Sequence, residues 1–164
     1  MATHPIQYYA PLFRALANRG DVELTVYFAH RPTAAEQGIG FGVAFQWDVD
    51  LTAGYEHVFL RNVAPGPNRD RFGDYDTPDI TSVIERRAHD AMLVLGWRAK
   101  TYWQAMRACW RTRTPVYVRG DSQLDDDRGL KRAVKRLVYP RFVSRFAACL
   151  AVGTRSEAYF RYYG

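Results

Sequence analysis

Cysteine occurs only twice in these 164 residues, as Cys109 and Cys149. That excludes a disulfide framework. One falls in a predicted helix and one in a predicted strand, so both read as buried small hydrophobes. Histidine is also scarce, with four in all, and no Cys or His cluster has metal-ligand spacing. No metal site is expected. No apolar run reaches the ~18 residues that span a bilayer as a helix. The first residues are polar and aromatic, not basic and then apolar, so they do not read as a signal peptide. Together these absences place the expected location in the cytoplasm. Internal repeats and low-complexity segments are lacking too. Lysine is the rarest charged residue: arginine outnumbers it 20 to 3. Nucleotide bias in the source genome explains that ratio more simply than selection for bidentate phosphate contacts.

The apolar share of 48% and the charged share of 24% describe a globular chain with enough residues for one real core. The net charge of +6 suits phosphorylated ligands, anionic lipid or nucleic acid. Nucleic acid is disfavoured. No binding motif is present, and three adjacent aspartates, Asp125 to Asp127, would oppose a phosphate backbone.

Helical and strand patterns alternate along the chain. A short helix is predicted over 9–18, with Leu12, Phe13, Leu16 and Ala17 on one face and Gly20 as a stop. Strands are predicted over 22–28 and 55–60. Residues 30–49 read as a long mobile loop, and 64–76 as a Pro/Gly/Asp-rich connection. Thr77 and Pro78 suit the cap and first position of a helix running to about 89. A buried strand over 90–95 follows, then a helix over 100–112 with Trp103, Ala105, Met106, Cys109 and Trp110 inward. Another buried strand spans 115–118. A helix over 128–146 is expected to bend or break near Pro140. A strand over 148–152 and a final helix capped by Thr154 complete the pattern. This alternation predicts an α/β fold: one Rossmann-like domain over 1–164, a parallel sheet with helices on both faces. The predicted first strand is unusually short and the chain stops just after a helix, which suggests a piece of a longer protein.

Ligands of open α/β sheets bind at the carboxyl edge of the strands. The sequence puts several chemical groups there. His4, Gln7 and Tyr8 occupy the first strand-to-helix junction, where glycines are more usual. Backbone N–H groups at that helix start can receive a phosphate, with His4 and Gln7 adding side-chain donors. The competing reading is a plain helix entry, fixed by Pro5, with Tyr8 and Tyr9 packed on the sheet. Gly96 and Trp97 end one buried strand. Gly96 permits close approach of a ligand; Trp97 either offers a flat face to a sugar or packs over the sheet edge. Arg119-Gly120-Asp121-Ser122 ends the next. Gly120 allows a tight turn, Asp121 can accept sugar hydroxyls or act as a base, and Arg119 can offset phosphate charge. In the plainer reading Arg119 and Asp121 pair and Asp121 caps a turn. Trp47 and Asp48 lie in the long loop, as an acceptor lid or a hydrophobic anchor. His30 follows a strand at the same predicted edge, while His57 and His89 carry little expectation of ligand contact.

The helix from 128 is the strongest charge feature. Arg128, Lys131, Arg132, Lys135, Arg136, Arg141 and Arg145 have no acidic neighbour after Asp127. Leu130, Ala133, Val134, Leu137 and Val138 recur at helical spacing. Either this stripe faces the sheet, or the helix lies on anionic lipid, with Lys131, Arg132, Lys135 and Arg136 as the contact candidates.

The stretch His4-Pro5-Ile6-Gln7-Tyr8-Tyr9, Gln46-Trp47-Asp48-Val49 with Gly54-Tyr55, Gly96-Trp97, Arg119-Gly120-Asp121-Ser122, and Val152-Gly153-Thr154 with Tyr162-Tyr163-Gly164 together resemble the amino-terminal half of glycosyltransferase family 4 enzymes. The resemblance covers nearly the whole chain. It implies a two-domain B-type enzyme that moves a sugar from a nucleotide diphosphosugar to an acceptor hydroxyl, with retention of configuration and no further cofactor. This chain would be the acceptor-side half, inactive alone. Its partners would be the nucleotide sugar, a sugar or lipid-linked acceptor, the missing donor domain and an anionic membrane surface. Many family members place a His after the strand that here precedes Arg119. This chain departs from them with Arg119-Gly120-Asp121, so Asp121 or Arg119 is the catalytic candidate in place of that His, with His4, Gln7, Tyr8, Gly96, Trp97, Gly120 and Ser122 expected around the substrate. The alternative is a non-catalytic Rossmann-like module that binds a protein partner or membrane through the basic helix.

Overall fold

The computed structural model describes residues 1–33, 36, 47–65, 71–124 and 129–164. Most of the predicted 30–49 loop and part of the 64–76 connection lie outside these residues. The elements in chain order are α1 (Ala10–Ala17), β1 (Thr25–Phe28), β2 (Glu56–Phe59), a 3-10 turn (Phe72–Asp74), α2 (Asp79–Arg86), β3 (Met92–Val94), α3 (Lys100–Thr112), β4 (Val116–Gly120), α4 (Gly129–Val143), β5 (Ala148–Ala151) and α5 (Thr154–Tyr163). This is an α/β protein with parallel strands, consistent with a Rossmann-like class. Its strands form two small sheets, β1-β2 and β3-β4-β5. The chain divides into two compact units, Met1–Ile80 with Ala99–Thr101, and Thr81–Arg98 with Tyr102–Gly164.

In the first unit, β1 is a Thr-Val-Tyr-Phe run whose last three residues are buried. β-branched and aromatic side chains suit that pleated surface. It pairs in parallel with β2, Phe28 opposite Phe59. Ala2 joins the other side of β1 by a parallel bridge to Phe28, with its N–H on Tyr27 O at 2.9 Å and its carbonyl accepting from Ala29 N–H at 3.1 Å. The short lead before His4 thus acts as a third parallel segment. α1 turns Ala10 and Phe13 inward and leaves Leu12 exposed. The Phe13 ring meets Tyr55 and Phe28 edge-on at 5.4 and 6.4 Å, and that contact sets the helix's rotation.

In the second unit, β4 is central, with Val94, Val118 and Cys149 in one register row. Val94 and Val118 are fully buried, as expected of strands covered on both faces. α3 matches its predicted bounds and buries Ala105, Met106, Ala108 and Cys109 completely. α4 continues through Pro140 to Val143, where the sequence suggested a bend or break. Thr154 opens α5 but does not cap it. Gly153 is the N-cap, and the Ser156 hydroxyl accepts from the N–H groups of Val152 and Gly153 at 2.9 and 3.1 Å.

Candidate functional site

Parallel strands share one carboxyl edge, and in the first unit that edge collects side chains from distant segments. Ala2, Phe28 and Phe59 stand in register. Two residues past each come His4, His30 and Arg61. His4 stacks nearly parallel to the ring of Tyr75, with centroids 6.4 Å apart and planes 15° apart. His30 meets the same ring edge-on, also at 6.4 Å. Tyr75 is buried, and its carbonyl accepts the Thr101 N–H at 2.9 Å. The Thr3 hydroxyl reaches His4 Nδ1 at 3.1 Å, and His30 Nε2 lies 2.9 Å from Glu36 Oε1. The result is two imidazoles held on one phenol, with a carboxylate behind the second.

The Tyr75 segment is fastened by polar staples. Asn62 donates to Asp74 O and accepts from the N–H groups of Ala64 and Asp76. Lys100 Nζ reaches Asp76 Oδ2 at 2.6 Å. The Thr77 hydroxyl, fully buried, shares a hydrogen bond with Thr101. Sequence reasoning missed Tyr75 and Asn62. The available clue was an aromatic between two acids, Asp74 and Asp76, in an otherwise turn-rich connection.

Part of the helix start expected to receive a phosphate is already engaged. Tyr9 and Ala10 both donate to Ile6 O, at 3.0 and 3.2 Å, and Pro11 has no N–H. Gln7 is exposed, and so is Tyr8, whose ring leans on Tyr9 at 4.7 Å. Trp47 is half-buried and Asp48 exposed. The loop after Asp48 is tied to α1, since Arg14 donates to the carbonyls of Asp50 and Ala53 at 3.3 and 3.4 Å. His57 packs among the rings of Phe28, Tyr55 and Phe59. His89 lies past α2, half-buried.

In the second unit the carboxyl edge carries Gly96 and Gly120, each two residues past the paired Val94 and Val118. The two glycines do different work. Gly96 has φ +105° and open space where a Cβ would stand, so a ligand can approach its backbone. Gly120 is the last residue of β4, not a left-handed turn, and a Cβ there would lie 3.0 Å from Phe160 Cζ. Its missing side chain admits the Phe160 ring. Arg119 and Ser122 are half-buried and Asp121 is exposed. Trp97 belongs to an aromatic cluster: Phe142 at 5.5 Å, Tyr139 and Phe160 at 6.1 Å and Phe146 at 6.2 Å. Its carbonyl accepts from Trp103 Nε1 at 2.9 Å. Trp97 packs in this cluster and remains half-buried.

On α4, Arg132 donates to Leu124 O at 3.0 Å. Lys135 donates to the Tyr159 hydroxyl at 3.1 Å, so its ammonium is turned toward α5. Arg136 sits over the Tyr162 ring at 5.8 Å. The backbone of Lys131 lies within α4.

Burial opposes ionisation of Glu36, but hydrogen bonds from Thr33 and the His30 pairing outweigh it and hold the carboxyl below its ordinary value. Burial raises the Tyr55 phenol to about 12 and the Cys109 thiol to about 11. Among the described residues, no group of three His, Cys, Asp or Glu side chains could hold a metal ion, and no helix is long and apolar enough to cross a membrane.

Comparison with known proteins finds no family model, no curated protein and no solved structure that matches this chain.

Proposed function

We propose that this chain is the Rossmann-like, acceptor-side part of a glycosyltransferase that moves a sugar from a nucleotide diphosphosugar to an acceptor hydroxyl. The observation that carries the reading is the meeting of His4 and His30 on Tyr75 just past the carboxyl ends of parallel strands. Imidazoles suit hydroxyl-rich ligands, because each ring can both donate and accept a hydrogen bond. The open backbone at Gly96 and the exposed Asp121 beside Arg119 add a second set at the edge of the other sheet.

In this reading Asp121 accepts a hydroxyl of the transferring sugar or acceptor, and Arg119 offsets phosphate charge. Ser122 and Gln7 supply further hydrogen bonds. The nucleotide sugar is substrate, so no other cofactor is needed. The enzyme works in the cytoplasm, at the membrane periphery when its acceptor is lipid-linked.

The test uses the whole reading frame that contains this chain. Calorimetry against a panel of nucleotide sugars identifies the donor, and turnover is then compared with the Asp121→Ala variant. A loss of at least ~10-fold is expected. Wild-type turnover in that variant removes Asp121 from the site, and absence of binding to any nucleotide sugar overturns the reading.

A second reading, a non-catalytic module that binds through its basic helix, is favoured by one observation alone: the outward face of α4 is apolar.

A further inference from the structure

His4 and His30 share the Tyr75 ring but are held by different groups. His4 Nδ1 meets the Thr3 hydroxyl at 3.1 Å, whereas His30 Nε2 meets the Glu36 carboxylate at 2.9 Å. Glu36 is itself fastened. Its Oε2 accepts the Thr33 N–H at 2.6 Å, and its own N–H donates to the Thr33 hydroxyl at 3.3 Å. This is the reciprocal pairing that a Thr-x-x-Glu spacing permits. Both side chains of the dyad are largely enclosed, His30 at 16% and Glu36 at 22% exposed.

That fastening decides where the ring proton sits. The Glu36 carboxyl is held below its ordinary value, so at neutral pH it is ionised and only accepts. Nε2 therefore carries the hydrogen, and the neutral imidazole keeps a bare lone pair on Nδ1. Nδ1 makes no hydrogen bond among the described residues. Tyr75 meets the ring at 6.4 Å and 60°, which limits its rotation, and His4 lies across Tyr75. The neighbouring Arg31 guanidinium sits over Phe59, 4.0 Å from the ring centroid. His30 also follows β1 at the carboxyl edge, where ligands of open α/β sheets bind. An imidazole oriented by a carboxylate, with its second nitrogen unengaged, is the arrangement that takes a proton from a hydroxyl.

We propose that His30 Nδ1 accepts the proton of the acceptor hydroxyl, with Glu36 as its positioning residue. The assignment rests on the glycosyltransferase reading. In the step, the hydroxyl O–H bond breaks and its proton passes to Nδ1. The oxygen's electron pair forms the bond to the anomeric carbon of the nucleotide sugar. The bond from that carbon to the diphosphate breaks, and its pair leaves on the nucleoside diphosphate. The imidazolium so formed is stabilised by the Glu36 carboxylate.

Two measurements test this. Nitrogen-15 NMR of the chain at about pH 8 should show His30 with Nε2 protonated and Nδ1 bare, its signals identified by their loss in His30→Gln. In Glu36→Gln that preference should relax, because an amide both donates and accepts. The opposite tautomer in the parent overturns the proposal. The second measurement uses the whole reading frame and the donor found by calorimetry. His30→Gln should lower kcat at least about tenfold with the KM for the nucleotide sugar unchanged. Glu36→Gln should lower kcat by a smaller factor in the same pattern, and it decides the matter if His30→Gln does not fold. Parent-like kcat in the folded variants, or a rise in KM alone, removes His30 from proton transfer and leaves the glycosyltransferase reading intact. A parent that turns over no nucleotide sugar overturns both.

Discussion

His4 lies nearly parallel to the ring of Tyr75, 6.4 Å between centroids, while His30 approaches the edge of that same ring at an equal distance. Tyr75 is thus the common platform for two groups that the chain delivers from separate strands. It is buried and comes from a connection, not from a strand or helix. Its position is held by the Asn62 staple and by the Thr101 N–H on its carbonyl.

Removing that platform should cost both stability and order at the site. Tyr75→Ala is expected to destabilise the protein by about 3–5 kcal/mol, as for other buried aromatics. Tyr75→Phe keeps the ring and should cost about 1 kcal/mol or less. Urea denaturation gives the stabilities. In the Phe variant the ring-current shifts of the His4 and His30 protons should survive, whereas Tyr75→Leu should abolish them.

The two edge glycines should respond to alanine for different reasons. Gly96→Ala meets no neighbour, but φ +105° is strained for any side chain, so a loss of about 1–3 kcal/mol is expected. Gly120→Ala keeps an ordinary backbone but presses on Phe160. Its expected cost is about 1–3 kcal/mol from overpacking. Combining Gly120→Ala with Phe160→Leu should cost less than the sum of the two single changes, since the shorter side chain admits the new methyl. No such rescue should occur for Gly96→Ala.

Glu36 should make stability depend on acid. Its carboxyl is held below its ordinary value of 4.5 by hydrogen bonds from Thr33 and by His30. The folded state therefore binds this proton less readily than the unfolded chain does. Its contribution is complete above about pH 4.5 and is lost as pH falls through the depressed folded value. Denaturation midpoints of the parent and Glu36→Gln, measured from neutral pH down to about pH 3, should differ most at neutral pH and converge toward the acid end. A gap that stays constant would disprove the pairing.

The cysteines should be inert in the native protein. Burial raises Cys109 to about 11 and also raises Cys149. Both are free thiols, and Cys109 is fully buried. The thiolate is the reactive form, so a thiol reagent at about pH 8 should label the native protein slowly and both cysteines rapidly after unfolding. Fast labelling of Cys109 in the native state would contradict the burial of α3.

Much of the architecture was legible in the chain, and α3 is the clearest case. Its apolar residues recur at helical spacing with no interruption, so the pattern alone places both ends. The short buried strands were legible too, although β1 and β3 proved shorter than their apolar runs. A run continues wherever side chains are apolar, but a strand stops where its ladder hydrogen bonds stop. Helical spacing groups Leu12 with Phe13, Leu16 and Ala17, yet Leu12 is exposed and Phe13 buried, because that spacing fits several adjacent faces. Only the contact of Phe13 with Tyr55 selects one of them.

The sequence by itself determined the alternation of elements, the parallel α/β class and the groups near the strand ends, because hydrophobic periodicity and turn chemistry are local. The tertiary structure alone decided which of those groups meet. Register put His4 and His30 two residues past paired positions, and the fastening of a distant connection brought Tyr75 between them. It also decided that α4 buries Val143, packs Phe142 against rings and turns Leu130 and Leu137 to the solvent. Both helical faces are apolar, and only the aromatic one has rings waiting for it, at Trp97 and Trp103.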